Sequence, residues 1–357
     1  VADVDAYRAW LAPDGDIDAV TPVLGEAGAE PDVTILIPEG RVPWSGHSGK
    51  YAASQVMAEI AAHQTTLVFC NTRGLAELIF QELWSVNDAN LPIAIHHGSL
   101  SIEARRKVES AMAAGKLRAL VATASLDLGV DWGNVDCVIQ MGAPKGSSRL
   151  LQRIGRANHR LDQASEAILI PGNRFEYLEA RAALDAVEAG ERDADDFRAG
   201  SLDVLAQHVM GLACAGPFRE EEMLAEIQFA TPYSALTPDA FASVLHFIEG
   251  GGCALRAYDR FKRLTRDADG TWRVSHPRFI QQHRLNAGII VDQPALAVRF
   301  ANGRKLGTVE EGFAATLRPG DSFFFSGMAL EVVRMDSSDL VVRATSKSAR
   351  IPSWGGT

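Results

Sequence analysis

The sequence predicts an α/β fold: a parallel sheet with flanking helices, followed by a winged-helix domain and the start of a β-rich domain. Three observations carry that prediction. Short, near-continuous apolar runs alternate with helix-period stretches across residues 51–190. Three helical stretches then precede a cationic hairpin, and from Ile289 onward the pattern alternates as strands do.

Taken in order, residues 1–50 are an acidic lead-in without a clear period up to residue 31, and "DVTILIP" (32–38) admits one further strand. The apolar runs of the domain at 51–190 are "TTLVFC" (65–70), "PIAIHH" (92–97), "LRALVAT" (117–123), "DCVIQMG" (136–142) and "EAILIP" (166–171). Helix-period segments separate them: "RGLAELIFQELWSV", "SIEARRKVESAMAAG" with Ser101 as N-cap, and "SSRLLQRIGRA" capped by Ser147 or Ser148. Strands that are apolar throughout and separated by helices indicate βαβ units and a sheet covered on both faces. The helix "FEYLEARAALDAVEAG" and an acidic linker close this domain. In 191–285, helices over 201–216, 219–230 and 237–252 precede "FKRLTRDADGTWRVSH", which reads as two strands turned at Asp269-Gly270. That is the plan of a winged helix. Residues 286–357, with turn signals at Asn302-Gly303 and Pro319-Gly320, begin a β-rich domain that reads as partial. Val1 in place of Met, and the open ending "IPSWGG", predict a piece of a longer polypeptide.

With 47% hydrophobic and 22% charged residues the 357-residue chain has an ordinary globular composition. It contains no apolar run of the ~18–20 residues that cross a bilayer and no signal-peptide pattern, so it reads as cytoplasmic with no membrane partner. Cys70, Cys137, Cys214 and Cys253 stand in no CxxC or Cys/His spacing, which indicates neither a disulfide framework nor a metal site. The formal net charge of -10 is unevenly spread. Residues 1–40 hold nine acids against Arg8 alone, whereas Lys145–Arg160 and Arg256–Arg284 are cationic islands. An acidic body with cationic islands suits a protein that meets a polyanion at defined places.

The sharpest island is "LLQRIGRANHR". On a helix, Arg149, Arg153, Arg156 and Arg160 share one face, and Leu150, Ile154, Ala157 and Leu161 share another. A solvated face would intersperse carboxylates at i±4, yet Lys145–Leu161 contains none, so the counter-charge must come from elsewhere. The row is expected to meet a triphosphate arriving from a neighbouring lobe; a row pointing into bulk solvent, or already neutralised by acids of its own fold, would overturn that reading. Polar residues also gather at the carboxyl ends of consecutive strands, where open parallel sheets bind ligands: Asn71, Thr72 and Arg73; His96, His97, Gly98 and Ser99; Thr123, Ser125, Asp127, Gly129 and Asp131. Hydroxyls, glycine N–H groups and helix N-termini suit phosphate oxygens. His96 and His97, adjacent on a strand, point to opposite faces and so argue against a metal. Asp127 and Asp131 read as loop and cap residues rather than a carboxylate pair. Trp272, beside Arg273 on the hairpin, is open between packing and nucleic-acid contact.

Four of these segments, in order, resemble motifs IV, IVa, V and VI of superfamily 2 helicases: "LVFCNTR", "HHGSLS", "ATASLDLGVDW" and "QRIGRANHR". Those motifs occupy the second RecA-like domain. The "QRIGRA-x-H" form is similar to the Lhr (large helicase-related) group, with the bacterial ligase-associated DEXH-box branch as the nearest likeness. The likeness continues through "LRAYDRFKRL", "HPRFIQQHRLNAG" and "RIPSWGG".

The resemblance implies a RecA-like sheet and an ATP-dependent DNA helicase or translocase, moving 3′ to 5′ in DNA repair. By position, Arg156 is the arginine that reaches the γ-phosphate of ATP, with Gln152 one turn back. Gly129 and Asp131 lie near the nucleotide, and Arg153 is a further nucleotide-binding candidate. His159 stands where many relatives have arginine, which leaves the second arginine's role open among His159, Arg153 and Arg160. Thr72, Arg73, Gly98 and Thr123 correspond to contacts with the nucleic-acid backbone, and Trp354 to a tryptophan that stacks on single-stranded DNA. "WSGHSGKY" (44–51) has Trp44 and Tyr51 where a phosphate cradle needs glycine and a hydroxyl, so it is not a P-loop. The expected cofactor, ATP with Mg2+, therefore belongs mainly to a first RecA-like domain of the same polypeptide, and this chain alone is expected to be inactive as an ATPase. Expected partners are single-stranded or partly duplex DNA, with RNA left open, and repair proteins such as a ligase. The alternative is a non-catalytic nucleic-acid-binding module working through the winged helix.

Overall fold

The computed structural model of the chain describes residues 3–12, 15–25, 29–38, 41–46, 49–127, 135–157, 164–193, 197–252, 255, 257–286, 288 and 294–354. They form two compact units. The larger comprises Gly25–Asp193 and Gln293–Thr357, the smaller Asp3–Leu24 and Ala194–Asp292. The chain thus opens in the smaller unit with α1 (Val4–Leu11) and enters the larger with β1 (Asp32–Ile35).

In the larger unit follow α2 (Ala53–Ala62), β2 (Thr66–Cys70), α3 (Arg73–Ser85), β3 (Ile93–His96), α4 (Ile102–Ala113), β4 (Ala119–Ala122), β5 (Cys137–Met141), α5 (Ser147–Ile154), β6 (Glu166–Ile170) and α6 (Arg174–Glu188). The six strands pair in parallel in the order β1-β6-β5-β2-β4-β3. Burial explains why these segments read as unbroken apolar runs. Along β2, Val68 and Cys70 enter one core while Leu67 and Phe69 enter the other, and β4, β5 and β6 divide the same way. Both faces are dry, so neither offers a place for alternating polar residues. The expected N-cap Ser101 accepts from Ala104 N–H at 3.2 Å. Burial pushes the Cys137 thiol up to about 12 and raises that of Cys70 above its ordinary value, as befits inert core filler. Cys253 lies outside the described residues.

The cap of α5 departs from expectation. Gly146 is the N-cap, and the acceptor is Asp193, which takes Ser148 N–H at 3.1 Å. A side chain 45 residues downstream does what Ser147 or Ser148 was expected to do.

The smaller unit holds α7 (Leu202–Ala215), α8 (Glu220–Gln228), α9 (Pro238–Gly250), the antiparallel pair β7 (Leu264–Arg266) and β8 (Trp272–Val274), and α10 (Pro277–Leu285). This is a winged helix. Its turn needs a residue at positive φ, which Gly270 supplies at +86°. Trp272, left open above, is 3% exposed in the core and donates to Glu220 Oε2 at 3.4 Å. Trp10 of the acidic lead-in stacks on Phe197, so residues 3–24 belong to this unit.

Back in the larger unit, β9 (Ala295–Phe300), β10 (Lys305–Glu310), α11 (Glu311–Ala314), β11 (Ser322–Phe325), β12 (Met328–Met335) and β13 (Asp339–Ala344) complete the chain. The strands form a mixed sheet ordered β10-β9-β13-β12-β11, with a parallel β13/β9 pair and register shifts at 305/307 and 332/334. Its inward residues, from Leu296 to Val342, join the same core as the β2 and β5 side chains Val68 and Ile139. No helix among the described residues is long and apolar enough to cross a membrane.

Candidate nucleotide and nucleic-acid site

Two corners of the larger unit carry the polar strand ends. The first is built around α5. Its axis ends at Ile154, with Gly155 as C-cap, so the predicted arginine row is not one continuous helical face. Arg149 is exposed, and its Nε lies 4.0 Å from Asp127 Oδ2. Arg153 turns inward and is 2% exposed. It donates to both carboxylate oxygens of Asp127, at 2.9 and 3.3 Å, to Gln140 Oε1 at 2.6 Å and to Asn71 Oδ1 at 3.3 Å, with Phe69 under the guanidinium. The missing counter-charge is therefore Asp127, from the fold itself. A guanidinium so buried and fully engaged has no surface to offer a nucleotide, which corrects the expectation for Arg153. A buried charge needs such pairing, and this one fastens α5 to the ends of β2 and β5 and to the loop after β4.

Arg156 lies beyond the helix end, half-buried, and donates from Nη2 to the backbone carbonyl of Asp127 at 2.9 Å. That bond orients the side chain. Gln152 is exposed on the last turn of α5. One residue, Asp127, thus seats both arginines, its carboxylate for the structural one and its carbonyl for Arg156. Gly129, Asp131, His159 and Arg160 lie outside the described residues.

The second corner gathers around the N-terminus of α3. Thr72 is its N-cap; Oγ1 accepts from Leu75 N–H at 3.1 Å, and the exposed hydroxyl keeps its own proton to donate outward. Arg73 Nη1 donates to Ser99 Oγ at 3.0 Å, which ties this helix end to the turn at Gly98. Gly98 is exposed, with nothing within 4 Å of where a Cβ would stand. Trp354 reaches the same corner: its ring centroid is 5.9 Å from that of His97, and Cζ3 is 3.8 Å from the Cβ position of Gly74. The structure brings Thr72, Arg73, Gly98 and Trp354 together, while Thr123 stays buried at the end of β4. Trp354 is partly buried rather than a free aromatic near a terminus.

His96 and His97 point apart, as strand geometry requires. His96 meets Glu109 at 3.0 Å and Ser125 at 3.1 Å; His97 meets Glu77 at 3.1 Å. Among the described residues no three His, Cys, Asp or Glu side chains converge on a metal position. Gln140 and Glu77 were missed in the sequence. The first had a signal, a lone amide inside the apolar run "DCVIQMG"; the second sits on an ordinary amphipathic helix and had none.

Comparison with known proteins agrees with this geometry. Residues 50–160 match the helicase conserved C-terminal domain, and residues 185–352 match the winged helix domain of large helicase-related protein. The ATP-dependent helicase Lhr-Core of Methanocaldococcus jannaschii is 34% identical over 83% of this chain and 34% of its own length. That of Methanothermobacter thermautotrophicus is 33% identical over 83% of this chain and 35% of its length. The chain therefore spans about a third of the curated relatives it matches. Among solved structures, Mycobacterium smegmatis helicase Lhr bound to ssDNA and AMP-PNP superposes with a TM-score of 0.68 at 30% identity, over 80% of this chain and 37% of that one. The helicase MrfA bound to DNA shares the fold, with a TM-score of 0.64 at 18% identity, over 88% of this chain and 42% of that one.

Proposed function

This chain is the C-terminal region of a superfamily 2 helicase of the Lhr group, and on that premise we propose that it forms the second RecA-like half of an ATP-driven motor on DNA. In this reading the α5 corner faces ATP held, with its Mg2+, by a first RecA-like domain. Arg156 meets the charge that develops on the γ-phosphate, and Gln152 lies one turn back, on the last turn of α5. Thr72, Arg73, Gly98 and Thr123 follow the strand's phosphates, and Trp354 stacks on a base. By their positions in the motifs, Gly129, Asp131 and His159 are proposed to act near the nucleotide. When ATP closes the cleft onto Arg156, the contacts at Thr72 and Thr123 advance by a step. A 3′ to 5′ direction, a role in DNA repair and a ligase as partner belong to the same proposal.

The observation that carries it is the division of labour at Asp127. Arg153 is consumed by the fold, while the neighbouring Arg156, half-buried just beyond the helix end, donates to the Asp127 carbonyl. A winged-helix module acting without the motor is the lesser reading, because the hairpin's Trp272 is packed away. In the intact helicase, Arg156→Ala lowers DNA-stimulated ATP turnover by about a thousandfold or more and leaves DNA affinity in place. Steady-state turnover with and without oligonucleotide checks this, and unchanged turnover removes the assignment.

A further inference from the structure

Glu77 and His97 are both 0% exposed, and the proposed chemistry uses neither. Glu77, on α3, accepts the N–H groups of Ser326 and, at 3.0 Å, Gly327, in the turn between β11 and β12. It also holds His97 Nε2 at 3.1 Å. The β-rich sheet touches the same corner through its backbone. Thr308 N–H donates to Ser99 O and Ser101 N–H to Leu306 O, each at 2.9 Å. Between them Gly307 comes so close that a Cβ would stand 2.1 Å from Ser99 O. The turn carrying Gly98 is thus clamped on one side by β10 and on the other by His97. The outer face of the clamped imidazole is covered by Trp354, at 5.9 Å and a 60° ring angle. Neither His97 Nδ1 nor Trp354 Nε1, both buried atoms, has a hydrogen-bond partner.

We propose that His97, fixed by Glu77, is a positioning residue that seats the Trp354 indole between the α3 N-terminus and Gly98, so that a base of single-stranded DNA stacks on a preset ring. The inference rests on the reading of Trp354 as a stacking residue and names what sets that ring. A buried carboxylate–imidazole pair is no more stabilising than well-packed hydrocarbon, but it is directional, and direction is what a platform for a base requires. The carboxylate comes from α3 and its partners from the 326–327 turn and the loop after β3, so the orientation of one ring records the docking of three segments. With the Trp354 indole N–H unbonded, the ring is held by packing alone, against the core, the α3 N-terminus at Gly74 and the imidazole, and the imidazole is the one of these that is itself fixed by a directional bond.

The test uses the full chain and a labelled oligo-dT of about 16 nucleotides. Trp354→Ala lowers affinity by roughly 10- to 100-fold, the loss of one base stack. His97→Gln keeps a donor toward Glu77 but removes the ring; it lowers affinity nearly as far, and adding it to Trp354→Ala produces no further loss. The slope of log affinity against log salt stays unchanged in His97→Gln, since no phosphate contact is lost, whereas Arg73→Ala reduces it by about 0.7. A purely structural His97 would move the melting temperature without this non-additivity. Where His97→Gln does not fold, His97→Phe carries the same expectation, because a ring no longer pinned by Glu77 does not fix the indole. Full affinity in a folded His97 variant, or a loss that adds to that of Trp354→Ala, overturns the proposal. An unaffected Trp354→Ala would instead overturn the stacking reading itself.

Discussion

The two polar corners of the larger unit hold their groups in place in opposite ways. At the α5 corner the groups are charged, and burial divides them: Arg153 is closed into Asp127, Gln140 and Asn71, and half-buried Arg156 donates to the Asp127 carbonyl. At the α3 corner the groups are mostly neutral, and precision comes from behind, from Thr72 capping its own helix and from the β-rich sheet pinning the Gly98 turn. Charge needs an internal counter-charge to be held in place, whereas a hydroxyl or a backbone N–H needs only a rigid mount. A row of like charges in a sequence therefore mixes scaffold with ligand-facing groups, and only burial separates them.

The comparison breaks most visibly at Arg153. Arg153→Ala leaves Asp127 buried without its partner, and the expected loss is about 3–5 kcal/mol of stability. Arg156→Ala, at the surface of the same corner, is expected to stay within about 1 kcal/mol while it removes turnover. Urea unfolding of the two variants measures the contrast. Equal destabilisation would mean that both arginines are scaffold, and the distinction drawn above would fall.

The strands of the larger unit were legible because Val68 and Phe69 serve two cores at once, which demands apolar residues at every position. The helicase motifs were legible because their polar residues interrupt those runs at strand ends. What was hidden was hidden by sequence distance. Asp127 and Arg153 are 26 residues apart, and the acid-free stretch around the arginine points away from its partner. Glu77 gives no hint that its hydrogen-bond partners are Ser326 and Gly327, some 250 residues on, and the return of the β-rich segment onto the sheet unit runs through backbone contacts at Gly307 that carry no side-chain signature. The balance on Trp272 was settled by its burial against Phe218 and Glu220, a fact of packing that composition does not encode.

A milder test of the same corner is Asp193. Its carboxylate accepts from Ser148 N–H, and its backbone carbonyl accepts from the Ser148 hydroxyl at 3.0 Å. Asp193→Ala removes the first contact and the bond from the Ser147 hydroxyl to the same carboxylate at 3.3 Å but keeps the carbonyl, so the loss expected is about 1–2 kcal/mol, the upper range of an N-cap. Asp193→Asn, which keeps an acceptor, should recover most of it. Thermal unfolding of the two variants compares them, and equal losses would mean that charge near the helix N-terminus, rather than the hydrogen bond, sets the cap.

The smallest effect sharpens the α3 side. Burial is the largest influence on His96 and lowers its pKa, against the opposing pull of Glu109 and with help from Arg105 and His97. A histidine depressed in the folded state binds more protons when unfolded, so stability is complete above the ordinary value near 6.5 and falls as pH drops below it. One such group contributes a slope of at most about 1.4 kcal/mol per pH unit. His63, raised through its bonds to Glu59 and Glu166 despite burial, has the opposite sign: its contribution is present below about 6.5 and fades as pH climbs through the higher folded value. The two act in adjoining windows: His96 makes stability fall as pH drops below about 6.5, and His63 makes it fall as pH rises above that value. His96→Gln removes the acid-labile member and leaves the other. Its stability is then expected to stay more nearly level than the wild type's as pH falls below about 6.5, read by urea midpoints at half-unit steps, and a profile parallel to wild type would show that His96 is not the group that titrates.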